Sequence, residues 1–288
     1  MDGAYPESGA FASVCCSTEA GEKVAPRASG AAHERGLTGV VCQPSHLTSN
    51  GTKEKKNMSI SAVIPIAAQD EEWRGLLPIM GDVPEVDEII LSLSDQLAPS
   101  KLRDFEQARG IDPRIRLVQG PQGRAWQLNR ALAIARSEWI WVLHADSRFG
   151  TEVRGCLAKR MPSHLHYFDL AFRAPCSQLL KLNAWAVRWR SQLLGLPFGD
   201  QGFLFESKRA EELGGFPEGL AYGEDHVFVW RWRQRGWPLR RLPASVETSA
   251  RRYTQQGWSH TTLRHLFLTV RQAYPEFCSY LKAVRRRR

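Results

Sequence analysis

The segment Leu143-His144-Ala145-Asp146-Ser147 sets a carboxylate and an imidazole directly after the apolar run Trp139–Leu143. An apolar strand ending this way delivers both groups to the edge of a sheet. Such an edge suits a divalent cation, because hard cations take few carboxylate oxygens and complete their shell with substrate phosphates. The plainer reading, favoured on these residues alone, makes Asp146 a helix cap and His144 a packed side chain. A second candidate is Gly120-Pro121-Gln122-Gly123-Arg124, followed by Gln127 and Asn129. Gly123 and Arg124 at a helix start would form an anion site, since free N–H groups point outward there. Neither G-x-G-x-x-G nor a Walker-type phosphate loop occurs.

Three further clusters follow. Gly199-Asp200-Gln201-Gly202 reads as a tight turn carrying polar groups, or as an ordinary Gly-Asp turn. Gly214-Gly215-Phe216-Pro217 precedes Gly223-Glu224-Asp225. Adjacent acids at a helix start satisfy free N–H groups and the helix dipole. Capping alone accounts for one of them. Ser249-Ala250-Arg251-Arg252 ends with paired arginines, which would clamp a diphosphate or stand as ordinary surface cations.

These clusters need elements to hold them. Short apolar runs predict strands at Ser61–Ile66, Val86–Leu93, Ile115–Gln119 and Trp139–Leu143. Helical patterns follow at Glu71–Met80, Lys101–Arg109, Arg124–Arg136 and Glu152–Arg160. This alternation implies a parallel sheet with helices on its faces. In such a sheet, ligands sit beyond the carboxyl ends of the strands. Beyond residue 160, strands are expected at His166–Arg173, Gly202–Glu206 and Ser245–Ser249. Helices are expected at Gln178–Leu194, Glu224–Arg235 and Thr261–Tyr274. Trp185 and Trp189 lie four apart and share a helix face. That face suits core packing, the favoured reading, or a membrane surface.

The chain has 288 residues, 43% hydrophobic and 24% charged, the balance of a soluble globular protein. No stretch approaches the ~18 apolar residues that span a bilayer, and the first 30 residues show no secretory pattern. The six cysteines (Cys15, Cys16, Cys42, Cys156, Cys176, Cys278) form no C-x-x-C pair. They suit a reducing compartment, and a cytoplasmic location is expected. Residues 1–57 lack periodicity and read as a disordered extension, with Met58 a candidate translation start. The charge of +9 is uneven. Residues 226–288 hold fourteen Lys/Arg against Glu247 and Glu276. Such a region attracts nucleic acid, anionic lipid or a phosphate-bearing substrate. The basic tail, residues 281–288, is a candidate for weak peripheral membrane contact.

The ordered set (Pro65 in the first strand, GR-x-x-Q-x-N, HAD, GDQG, GGF, ED, SARR) resembles the family 2 glycosyltransferases of the GT-A fold. It is most similar to small soluble members that carry HAD in place of D-x-D. The resemblance covers roughly residues 59–275 and implies an α/β fold with a mostly parallel central sheet flanked by helices. The catalytic domain would span residues 58–280. It implies a nucleotide-diphospho-sugar donor, an acceptor hydroxyl, Mg2+ or Mn2+ as cofactor, and an inverting transfer.

Residue by residue, the resemblance makes Asp146 the metal aspartate and Asp225 the catalytic base. Arg124 falls in the donor segment. Asp200, Gln201 and Glu224 fall on the acceptor side, and Arg251 and Arg252 near the leaving diphosphate. The chain departs from the family after its second strand, where Leu91-Ser92-Leu93-Ser94-Asp95 replaces an acid-Gly-Gly-Ser turn. Asp95 is the candidate substitute on the donor. It departs also after the first strand, where Ala68-Gln69-Asp70-Glu71 replaces an Asn-Glu pair.

Two other enzyme-fold readings remain open: a nucleotidyltransferase, which would show a Gly-rich loop after the first strand, and a non-catalytic nucleotide-sugar binder. A nucleic-acid-binding protein is not supported by any zinc-finger or RNP-like motif.

Overall fold

The computed structural model describes residues 59–173 and 176–287, with side chains throughout except at 252 and 256. The extension of residues 1–57, Met58 and the first three cysteines lie outside the described residues. Eight strands form one sheet: β1 (Ile60–Ile66), β2 (Val86–Ser94), β3 (Ile115–Gly120), β4 (Trp139–Val142), β5 (Arg148–Phe149), β6 (Leu165–Phe172), β7 (Phe203–Glu206) and β8 (Leu239–Thr248). Their spatial order is β3-β2-β1-β4-β7-β6-β8-β5.

The first half obeys the expected parallel rule. β1 pairs in parallel with both β2 and β4, and β2 with β3. The second half does not. β7 runs antiparallel to β4 and to β6, and β5 antiparallel to β8, while β6 and β8 are parallel. The sheet is therefore mixed, which corrects the mostly parallel expectation. Strand–helix alternation dictates parallel pairing only where each helix returns the chain to the same edge. Beyond β4, β7 and β5 enter the sheet from the opposite direction to their neighbours.

Period-two burial explains the two-sided core. Ala62, Ile64, Ile89, Leu91 and Trp141 pack on one face. Their alternates Val63, Ile90, Ile140 and Val142 pack on the other, with Phe203, Phe205, Phe216 and Phe228. Strands buried on both faces read as continuous apolar runs.

The helices are α1 (Trp73–Gly81), α2 (Pro99–Ile111), α3 (Arg124–Ile134), α4 (Glu152–Leu157), α5 (Gln178–Trp189), α6 (Ser207–Glu212), α7 (Glu224–Gln234), α8 (Arg251–Gln256) and α9 (Trp258–Arg285). α5 continues as a π-helical turn, Arg190–Leu194, that ends at Gly195 with φ of 62°. α9 exceeds its expected end at Tyr274. Pro275 removes one backbone donor, which commonly kinks or ends a helix. Here packing carries the helix on. Phe277 and Tyr280 meet the Trp230 ring, and Gln234 bonds the Glu276 carbonyl. The helix thus runs through Leu281, where a separate basic tail is expected, to Arg285.

Trp185 and Trp189 correct another expectation. They meet edge to face, yet stand 58% and 45% exposed, outside the core.

Candidate active site

α7 follows Gly223, whose φ of 77° favours glycine. Its first turn presents Glu224 and Asp225. The Asp225 carboxylate does not simply cap its own helix. Oδ2 accepts the Gly199 N–H at 2.5 Å, and Oδ1 accepts the His226 N–H at 2.8 Å. Burial opposes the charge on Asp225, but Arg124, the Gly199 N–H and His144 outweigh it. The carboxyl therefore lies below its ordinary value and is ionised at neutral pH.

Arg124, at the first position of α3, is the cation of this group. Its Nε lies 3.0 Å from Glu224 Oε1, an ion pair without linear hydrogen-bond geometry. Its guanidinium nitrogens lie against both ring nitrogens of His144. Glu224 behaves oppositely to Asp225. Burial and the neighbouring Asp225 raise it, although Arg124 opposes them. Two adjacent acids thus hold different proton affinities. Gly199 lets the groups converge: a Cβ there would stand 2.6 Å from Arg124 Nη2 and 2.8 Å from Asp225 Oδ2.

Asp146 lies in the turn after β4, near the end of β8. Its Oδ2 accepts the Thr248 hydroxyl at 2.8 Å and the Ser249 N–H at 3.0 Å. Among the described residues, no donor bonds Oδ1. Burial is again outweighed, here by His144, the two donors and Arg173, so the Asp146 carboxyl is lowered. Arg173 is fixed by Glu72, which also binds Arg148.

Asp200 sits in the 3-10 turn Gly199–Gln201. Burial pushes its carboxyl up to about 6; Asp225 and Asp146 add to this, while Arg190 and Arg124 oppose it. Its Oδ1 is buried without a hydrogen-bond partner. Arg190 enters this group from the π-helical turn. It bonds the Leu196 carbonyl at 3.0 Å and stacks 3.6 Å over the Phe198 ring. No sequence motif singles out Arg190, which lies at the first position of the π-helical turn. Glu72, Arg148 and Arg173 likewise carried no sequence signal.

Gln201, expected on the acceptor side, is bonded within the protein. It is fully buried, accepts from Ser191 and Phe198 N, and donates to the Phe168 carbonyl. It holds the turn that carries Asp200. Gln127 joins the ends of β1 and β2 through the Ile66 and Ser92 carbonyls, each at 2.7 Å. Asn129 binds Phe216 in both directions, which ties the GGF segment to α3.

Two residues stand apart. Asp95 is exposed just past β2, and its backbone N–H bonds the Gly120 carbonyl. Arg251 is exposed at the start of α8, and its backbone N–H meets Ser249 Oγ. The Arg252 side chain lies outside the described residues. A cavity of about 630 Å3 lined by Asp87, Glu88, Arg114 and Arg116 occupies the opposite edge, where β2 and β3 begin. There Arg116 pairs with Glu88 and Arg114 with Asp112.

Among the described residues, no group of three or more His, Cys, Asp or Glu side chains forms a cation cage. Asp146 offers one ionised carboxylate with one oxygen still available. That set fits a hard cation which takes its other ligands from a substrate. It does not fit a cation held by protein alone.

No family model matches the sequence, and no curated protein matches it. Solved structures do resemble the fold. A mannosyltransferase from Pyrobaculum calidifontis, in complex with GDP-Man and Mn2+, superposes with a TM-score of 0.59 at 18% identity, covering 78% of this chain and 68% of that one. TarS of S. aureus, residues 1–349, superposes at 0.50 and 15% identity over 67% of this chain and 61% of its own. Its complex with UDP-GlcNAc gives 0.50 and 16%, over 67% and 58%. The chain thus spans under two thirds of the TarS structures. Identities this low carry the fold alone.

Proposed function

We propose that this chain is a metal-dependent glycosyltransferase of the family 2 type. It moves a sugar from a nucleotide-diphospho-sugar to an acceptor hydroxyl with inversion. The observation that carries the reading is a pair of part-buried carboxylates held ionised. Asp225 is held ionised by Arg124 and the Gly199 N–H, and Asp146 by His144, the Ser249 N–H and Thr248. The fold shared with sugar-nucleotide transferases supports it.

Each residue then has a role. Asp225 accepts the proton of the attacking hydroxyl, a task that needs an ionised carboxylate. Inversion needs this base on the sugar face opposite the leaving diphosphate. Arg124 keeps Asp225 charged and is itself oriented by Glu224. The Thr248 hydroxyl and Ser249 N–H orient Asp146, leaving Oδ1 for a cation. Mg2+ or Mn2+, when bound, supplies positive charge to the diphosphate. Arg251 and Arg252, at the start of α8 just past Ser249, add charge-assisted hydrogen bonds to the same group. Asp95 lies past β2, where a donor base or ribose would reach.

A thermal-shift screen of nucleotide-sugars with and without Mn2+ tests this reading. A specific donor raises the melting temperature by mass action, and only with the cation. Turnover of that donor with an acceptor hydroxyl completes the test. Binding without turnover would instead identify a non-catalytic sugar-nucleotide binder.

A further inference from the structure

We propose that the exposed apolar faces of α5 and α9, with the basic residues beside them, seat the protein on an anionic lipid bilayer. Leu263, Phe267, Val270, Tyr274, Phe277 and Leu281 recur at alternating steps of four and three along α9 and are all exposed. Phe267 and Tyr274 are 65% and 72% accessible. This spacing draws one continuous stripe along a helix. α5 adds Leu179, Leu182, Trp185 and Trp189, and its π-turn adds Leu193, all exposed. The helices meet where Trp258 Nε1 bonds the Leu179 carbonyl at 3.2 Å and Asn183 bonds Thr262 Oγ1 at 3.3 Å. Leu179 lies one turn before Asn183, and Leu266 one turn after Thr262. The apolar faces therefore adjoin at this contact.

Charge selects the occupant. Arg264, Arg271 and Arg285 fall at multiples of seven and line one flank of the α9 stripe, with exposed Lys282, Arg286 and Arg287 near its end. The one acid of α9 is Glu276, whose carboxylate accepts from the Gln234 amide. A second copy would set arginine against arginine across the seam with no acid to offset them. Anionic headgroups meet the same arginines favourably. Trp185, Trp189 and Tyr274 are residues that favour the headgroup boundary. No helix among the described residues is long and apolar enough to cross a membrane, so these helices would lie on the surface.

The face of α9 turned away from the stripe touches the loop that precedes the acidic cluster. Gln272 on α9 bonds the Tyr222 carbonyl at 2.7 Å, directly before Gly223, Glu224 and Asp225. Gln272 stands two residues from both Val270 and Tyr274, on the opposite side of α9 from the stripe, so the helix itself would separate a bilayer from the loop that carries Asp225. The proposal holds whether or not the chain transfers a sugar.

Co-sedimentation of the full chain with vesicles of phosphatidylcholine, with and without phosphatidylglycerol, tests it. Binding is expected with phosphatidylglycerol, about tenfold or more weaker without it, and weakened by salt. Leu263→Ser with Phe267→Ser, and separately Arg264→Gln with Arg271→Gln, should each reduce binding at least tenfold with unchanged melting curves. Should a variant misfold, quenching of tryptophan fluorescence in the unaltered chain by brominated phosphatidylglycerol vesicles replaces it. Equal binding to both vesicle types would overturn the proposal. So would absence of binding and quenching, or a dimer in sedimentation equilibrium that the serine substitutions dissociate while vesicles stay unbound.

Discussion

The Gly199 backbone N–H donates to Asp225 Oδ2 at 2.5 Å, joining a turn before β7 to the first turn of α7. Arg124 first, and this bond after it, explain why a carboxylate mostly removed from water stays ionised. It also explains why glycine stands at 199, because any Cβ would push into both Arg124 and Asp225.

If Asp225 is the base, Asp225→Asn retains the bond from Gly199 through its amide oxygen but cannot take a proton. Donor and cation binding should persist, while transfer falls by about 10²–10⁴-fold. Single-turnover transfer beside donor calorimetry checks this. Wild-type transfer by the variant would move the base to Glu224 or Asp200.

Gly199→Ala is the matching geometric test. The added methyl must displace the Arg124 guanidinium or the Asp225 carboxylate. We expect a chain that folds with a loss of about 1–3 kcal/mol and transfers at least tenfold more slowly. A melting curve and a transfer assay read the two effects separately.

Asp146→Ala should abolish cation-dependent binding of a nucleoside diphosphate. Because Asp146 offers a single carboxylate, Mn2+ alone should bind the unaltered chain weakly, and tightly only with the nucleotide. Calorimetry of Mn2+ with and without UDP or GDP decides. Undiminished nucleotide binding in the variant would remove Asp146 from the site.

Asp200 predicts a pH dependence of stability. Its folded value of about 6 lies above the ordinary 3.8. In that window the folded chain holds more protons than the unfolded one, so this group's contribution falls as pH rises. His166, lowered by burial from 6.5 to about 4, acts oppositely over nearly the same window, and its contribution falls as pH drops. Denaturant titrations from pH 4 to pH 7 should therefore show Asp200→Asn gaining stability relative to wild type as pH rises. A constant difference between the two chains would count against a raised Asp200.

Arg251 is exposed and its side chain bonds no described residue. Arg251→Gln should leave the melting temperature unchanged and weaken nucleoside diphosphate binding more than nucleoside binding. Equal weakening of both would leave Arg251 an ordinary surface cation.

Much of the framework was legible because it depends on local chemistry. β1, β2 and β4 are apolar runs buried on both faces, and such runs announce themselves. The starts of α3 and α7 follow glycines that the backbone needs there. The pairing of β7 against β4 was not legible, since strand direction depends on where the chain returns. Nor was the end of α9, where packing on Trp230 overrode the local effect of Pro275.

The sequence by itself determined which groups arrive at the carboxyl edge of the sheet. His144 and Asp146 must follow β4, and Glu224 and Asp225 must open α7. Their order and residue types are covalent facts. Only the tertiary structure decided what each group became. Asp225 is lowered and Asp200 raised because one meets Arg124 and a backbone N–H, while the other keeps an oxygen buried without a donor. Gln201 and Gln127 turned inward to bind carbonyls, and Arg190 entered through a π-turn that no local pattern marks. Trp185 and Trp189, which helical spacing would also allow in a core, face outward. A carboxyl's proton affinity and a side chain's exposure depend on neighbours distant in sequence, and folding alone assembles those neighbours.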